Sequence, residues 1–135
     1  MISSTIARTN AAFLALLGLV LLFASDDLLP RLIPTFPPGA AWFGQLLAAA
    51  LLALAVFNWF NRSTLQGGIY GRPVVAANTT FYFVSALALL KVVTQSAAPR
   101  ALWMVFVPFA LFAGLYAWLM FRGPFERDIA AEQKK

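Results

Sequence analysis

The sequence predicts an all-α integral membrane protein with four transmembrane helices in an antiparallel bundle. Of its 135 residues, 61% are hydrophobic and only 11% are charged, whereas a soluble domain is roughly half apolar and about a quarter charged. The apolar residues form four continuous segments of about 20 residues, the length that crosses the hydrocarbon of a bilayer. Runs such as AAALLALAV are rich in Ala and Leu and do not alternate as barrel strands would, so helices are expected.

The first apolar segment covers residues 6–24, with an uninterrupted core at 11–24. This core is short for a transmembrane helix. It can lengthen upstream through Ile6 if Arg8 extends to the interface, or downstream through Leu28 and Leu29. A signal peptide is the alternative, because Arg8 precedes a short apolar stretch. The small-residue cleavage rule fits poorly, since Leu22 or Phe23 would occupy the third position before the cut. We therefore expect a retained first helix.

The other three predicted helices cover residues 41–60, 74–95 and 101–121. A stretch with four prolines separates the first two helices and excludes one continuous helix there. Gly67 and Gly68 permit a tight turn before the third helix, and Pro73 suits that helix's first turn because its missing N–H costs nothing there. The whole chain, residues 1–135, is then a single integral membrane domain that ends in a cytoplasmic tail at 122–135.

The distribution of Lys and Arg predicts the orientation. With four spans, both termini and the middle loop share one side of the membrane. That side carries seven basic residues and the other carries three. The seven are Arg8, Arg62, Arg72, Arg122, Arg127, Lys134 and Lys135, and the three are Arg31, Lys91 and Arg100. The positive-inside rule then places the N and C termini in the cytoplasm, and we expect a bacterial inner (plasma) membrane.

The residue types that the chain lacks exclude several kinds of chemistry. It contains no Cys and no His, so thiol catalysis, iron–sulfur centres and His-ligated haem are not expected. Its five acidic residues all lie outside the apolar segments, which argues against a metal site or a carboxylate pair at membrane depth. No metal and no cofactor is predicted. The net charge of +5 indicates topology and contact with anionic membrane lipid rather than nucleic acid.

Polar residues inside the apolar segments define one candidate ligand-binding site. Asn58 and Asn78 lie near the cytoplasmic ends of the second and third helices, at similar predicted depth. Asn78, Tyr82 and Ser85 are spaced to share one face of the third helix. Such a line predicts either hydrogen bonds between helices or a surface that lines a ligand. Arg62, Tyr70 and Arg72 flank its mouth, where arginines could hold an anionic head group.

Three functions remain open from the sequence. The leading hypothesis is a non-enzymatic accessory or scaffold subunit that packs against other membrane proteins or copies of itself. Small residues at helix-packing spacing support it, at Ala11/Ala15, Ala110/Gly114 and Ala113/Ala117. The alternative is a binder, carrier or oligomeric channel for a hydrophobic or anionic-headed small molecule or lipid. An enzyme acting on lipid or quinone is the third, and it would rely on Tyr70, Tyr82 or Lys91 for acid–base chemistry.

Overall fold

The computed structural model describes residues 2–33, 35–37, 39–66, 68–95, 98–125 and 129–130. These residues form four helices, each long and apolar enough to cross a membrane, and no strand. The helices are α1 (Ile2–Leu32), α2 (Ala41–Phe60), α3 (Arg72–Val93) and α4 (Ala101–Arg122). The predicted all-α class with four membrane-spanning helices is therefore confirmed, and the protein is an integral membrane protein.

The chain divides into two compact units. The α1–α2 unit is Thr5–Arg62, and the α3–α4 unit comprises Met1–Ser4 and Ser63–Lys135. Residues 126–128 and 131–135 of the predicted cytoplasmic tail lie outside the described residues, as does Gly67 of the predicted turn.

α1 extends beyond both ends of the predicted segment 6–24, because it begins at Ile2 and continues to Leu32. It passes through Leu28 and Leu29, the downstream extension that the sequence allowed. A kink at Ala24, with φ −118° and ψ 16°, interrupts it, and the Ser25 hydroxyl donates a hydrogen bond to the Leu21 carbonyl there. The prediction of a loop across Pro30 was wrong. Proline removes only one N–H donor, and the Ile33 amide still donates to the Leu29 carbonyl at 2.8 Å. Helical hydrogen bonding therefore continues past the proline.

Two glycines allow α1 and α2 to pack closely in an antiparallel pair. A Cβ atom at Gly18 would lie 2.9 Å from Leu52 Cγ, and one at Gly44 would lie 2.7 Å from Ser25 Oγ. Leu14 and Leu51 are buried in the same unit. Small residues thus let the two helix backbones approach in the absence of a hydrophobic driving force between helices in lipid.

α2 has the predicted bounds, while α3 begins and ends two residues earlier than predicted. Pro73 lies in the first turn of α3, and the Thr94 hydroxyl donates to the Leu90 carbonyl at the other end, at 2.8 Å. Gly71 precedes α3, and a Cβ atom there would overlap the backbone of Leu65. The loop before α3 therefore folds tightly against the start of that helix, and only glycine fits at this position.

An aromatic cluster joins α3 to α4. The ring of Tyr82 on α3 is fully buried. Its centroid lies 5.0 Å from that of Phe112, 5.4 Å from that of Phe109 and 5.9 Å from that of Tyr116, all on α4. The Phe112 and Tyr116 rings lie within 22° of parallel to Tyr82, which is the offset-stacked arrangement that aromatic pairs favour. This cluster holds the two helices together.

Candidate functional sites

The α1–α2 unit contains two buried asparagines at one level. Asn58 Nδ2 donates to the Leu54 carbonyl at 2.8 Å, one turn back along α2. The antiparallel register set by Gly18 against Leu52 places Asn10 of α1 level with Asn58. Both asparagines are completely buried. Buried amides must find hydrogen-bond partners inside a membrane protein, so this pair fits an inter-helix polar contact.

Arg62, predicted to hold a ligand head group, is engaged by its own helix. Its Nη1 donates to the Trp59 carbonyl at 2.7 Å. Its guanidinium carbon lies 4.6 Å from the centre of the Trp59 ring, within cation–π range. The side chain therefore terminates α2 by binding a carbonyl at the helix C-terminus, where a cation is favourable.

The predicted polar line on α3 lies mostly in the packed interior of the α3–α4 unit. Asn78 is buried, and its Nδ2 donates to the Val74 carbonyl at 2.8 Å. Tyr82 is enclosed by the aromatic cluster, and Ser85 is half-buried. The environment of Asn78 and Tyr82 favours the interpretation that they stabilise helix packing over the interpretation that they line a water-filled path.

Arg72 lines a cavity at the end of the α3–α4 unit where α3 begins and α4 ends. The cavity has a volume of about 450 Å³. The residues that line this Arg72 cavity are Ile69, Arg72, Pro73, Val75, Ala76, Leu119 and Met120. A neighbouring depression of about 400 Å³ shares Ile69 with it and is also lined by Tyr70, whose side chain is 88% exposed. Tyr70 and Arg72 thus line two neighbouring depressions, and their role in holding a ligand stays a prediction.

Gln66, in the loop before α3, is the least satisfied polar side chain of the described residues. It is fully buried, and neither its amide nitrogen nor its amide oxygen has a hydrogen-bond partner among them. Its neighbours Leu65 and Gly68 line the depression beside the Arg72 cavity. A buried amide without partners costs about 1–3 kcal/mol, so the burial of Gln66 destabilises this loop.

A second, wholly apolar groove lies on the surface of the α3–α4 unit and is lined by both helices. Its volume is about 300 Å³. The residues that line this Gly114 groove are Phe83, Ala86, Leu87, Leu90, Phe106, Ala110, Ala113, Gly114 and Ala117. Both small-residue pairs predicted on the fourth helix therefore lie in one groove. The third pair, Ala11/Ala15, lines a smaller cavity of about 210 Å³ in the α1–α2 unit.

Five buried polar side chains of the described residues were missed in the sequence: Ser3, Asn10, Ser25, Gln66 and Tyr116. Asn10 stands alone beside an apolar run, a usable signal, but the predicted core began at the next residue. Tyr116 was omitted from the possible acid–base groups although it is a hydroxyl inside a predicted span. Gln66 carries no sequence signal, because a loop glutamine is ordinarily exposed. The predicted meeting of Asn58 with Asn78 joins the two units and stays a prediction.

Comparison with known proteins adds no family to this description. No protein-family model, no curated protein and no solved structure matches the chain at a significant level. Within the described ranges, no group of three or more His, Cys, Asp or Glu side chains could hold a metal ion. The fold and the grooves together define a small four-helix integral membrane protein.

Proposed function

We propose that this protein is a non-enzymatic accessory subunit that docks a transmembrane helix of a partner protein, or of a second copy, in the Gly114 groove. The observation that carries the proposal is the environment of Gly114. A Cβ atom built on Gly114 meets no atom of the described residues within 4 Å. No contact among the described residues therefore requires a glycine at this position.

The other helical glycines make the contrast clear. Gly18 and Gly44 are each in tight contact with the facing helix of their own unit. Glycine costs a helix about 1 kcal/mol relative to alanine, so a glycine inside a helix calls for a compensating close approach. Gly18 and Gly44 have that compensation in the α1–α2 unit. The corresponding approach at Gly114 would come from another helix in the membrane.

The shape and chemistry of the Gly114 groove suit such a helix. Alanine and glycine lining allows two backbones to come close enough for dense van der Waals packing, the main attraction between helices in lipid. Phe83 and Phe106 lie among the lining residues. These large apolar side chains, next to the alanines and Gly114 of the groove, provide contact area for a partner helix.

The proposed setting is the inner membrane of a bacterium, with both termini in the cytoplasm. Arg62 follows α2, Arg72 begins α3 and Arg122 ends α4, which puts three arginines on the proposed cytoplasmic side. Arg127, Lys134 and Lys135 add to that side in the sequence but lie outside the described residues. The proposed partners are membrane lipid and membrane proteins, with no nucleic acid.

Size analysis of gently extracted membranes by blue native electrophoresis tests the proposal. Gly114→Leu fills the groove and is expected to shift the protein from a larger assembly to the single chain. The control is Ala50→Leu, which adds the same kind of bulk at an exposed alanine of α2 and should leave the assembly intact. Because Gly114 faces open space, both variants should fold. If the Gly114→Leu assembly keeps its full size, the groove is not the docking surface.

A further inference from the structure

The geometry points to a binding site for an anionic membrane lipid in the Arg72 cavity, with the lipid phosphate on Arg72 and an acyl chain along the apolar wall. This inference does not rest on the accessory role, because the cavity and the Gly114 groove have no lining residue in common. It names a ligand chemistry for one end of the α3–α4 unit.

The position of the cavity matches the level of lipid head groups. It is lined by the first residues of α3, Arg72 and Pro73, and by the last turn of α4, Leu119 and Met120. Both helices are long enough to cross the hydrocarbon, so their ends lie at the interface between lipid and water. A cavity there opens at the depth where lipid phosphates are found.

At this end of the α3–α4 unit, the described side chains carry positive charge, and no described carboxylate of the unit balances it. Arg72 is exposed at the start of α3, and Arg122 ends α4. The described residues of the α3–α4 unit contain no Asp and no Glu. The N-terminal end of α3 adds the positive end of a helix dipole. A basic pocket between transmembrane helices at the interface is the arrangement that attracts anionic head groups.

The apolar wall distinguishes a lipid from a free anion. Pro73, Val75 and Ala76 of α3 face Leu119 and Met120 of α4 across the cavity. Pro73, Ala76 and Met120 keep exposed surface, which an acyl chain would bury and from which a soluble phosphate would gain nothing. The volume of about 450 Å³ lies within the range of roughly 300–1,000 Å³ that ligand sites occupy.

The test is native mass spectrometry of the purified, delipidated protein titrated with phosphatidylglycerol. Arg72→Gln is expected to weaken phosphatidylglycerol binding about fivefold, since one basic residue near a lipid surface contributes about that factor. Arg100→Gln is the matched control, because Arg100 is also an exposed arginine at the start of a transmembrane helix, and it should leave binding unchanged. Ala76→Leu, which narrows the cavity without changing charge, should also weaken binding.

Two further ligands show whether the site binds a phospholipid or a soluble phosphate ion. Phosphatidylcholine with the same acyl chains should bind more weakly than phosphatidylglycerol, and inorganic phosphate should not displace the lipid. Displacement by inorganic phosphate would show a soluble-anion site and overturn the proposal. Equal losses in Arg72→Gln and Arg100→Gln, or unchanged binding in Ala76→Leu, would also overturn it, because they would leave no role for this cavity.

Discussion

Tyr82 shows how a polar residue inside a span can serve packing. Its ring lies against three aromatic side chains of α4 and is completely buried. Most of its contribution is therefore expected to come from the ring rather than from the hydroxyl. The same reasoning applies to Asn78, whose amide bonds to its own helix one turn back. From the sequence, both residues were candidates for a ligand-lining surface; in the structure both are completely buried.

Tyr82→Ala is predicted to lower the free energy of unfolding by about 3–5 kcal/mol, the loss typical of a buried aromatic ring. Tyr82→Phe keeps the ring and should cost about 1 kcal/mol or less. Unfolding of both variants in detergent micelles, followed by circular dichroism, measures the difference. If Tyr82→Phe were as destabilising as Tyr82→Ala, a buried hydrogen bond of the hydroxyl, and not the packing of the ring, would be the main contribution of Tyr82.

The polar candidates were partly predictable from sequence because a polar residue in an apolar run is costly and therefore conspicuous. Asn58, Asn78 and Tyr82 were found in this way, and each is buried. The engagement of Arg62 by Trp59 was not predictable, since sequence does not show which way a long side chain turns. Gln66 was missed because its burial depends on how its loop folds.

At the scale of elements, several glycines lie where another part of the chain packs closely against the backbone. Gly71 lies against the Leu65 backbone, Gly18 against Leu52, and Gly44 against Ser25, whereas Gly114 has open space at its Cβ position. The sequence alone treats these glycines alike. In the structure, Gly71 lies in a tight loop, Gly18 and Gly44 lie where two helices cross, and Gly114 lies in an open groove.

Substitution of glycine by alanine is predicted to have opposite effects at Gly71 and Gly114. Gly71→Ala would force a Cβ atom into the Leu65 backbone and should destabilise the protein by about 1–3 kcal/mol. Gly114→Ala meets nothing and should stabilise the isolated chain by about 0.5–1 kcal/mol through helix propensity. Unfolding of the two variants in detergent shows whether each substitution lowers or raises the free energy of unfolding. A destabilised Gly114→Ala monomer would contradict the open position assigned to that residue.

Helix bounds were predicted well where proline and glycine stand at the ends of apolar runs, as for α2 and α4. α1 differed because Pro30 was taken as a helix breaker. The structure keeps helical hydrogen bonding beyond it, from Ile33 to Leu29. Pro30 has no N–H of its own to donate one turn back, but the next residues of α1 stay helical to Leu32.

At the scale of the whole molecule, the class of protein follows from composition and segment length, and the structure confirms it. The pairing of α3 with α4 and of α1 with α2 was expected only as contact between neighbours along the chain. The residues that line each groove depend on the rotation of every helix about its axis. Sequences with similar apolar character around the helix do not specify that rotation.

The orientation of the chain is testable with single cysteines, because the chain contains none of its own. Ser63, in the loop after α2, is exposed, as is Asp27 near the kink of α1. In intact cells, a membrane-impermeant maleimide should label Asp27→Cys but not Ser63→Cys. Labelling of both variants after the cells are broken is the control. The reverse pattern would invert the proposed orientation.

The most direct test of the accessory role is native mass spectrometry of the wild-type protein extracted from its own membrane. We expect an assembly heavier than the 14.7 kDa chain, made of a stoichiometric second polypeptide or of further copies of this chain. The same assembly should fall to the single-chain mass in Gly114→Leu and persist in Ala50→Leu. A wild-type protein found only as the single chain, with or without bound lipid, would contradict the central claim that the Gly114 groove holds another helix.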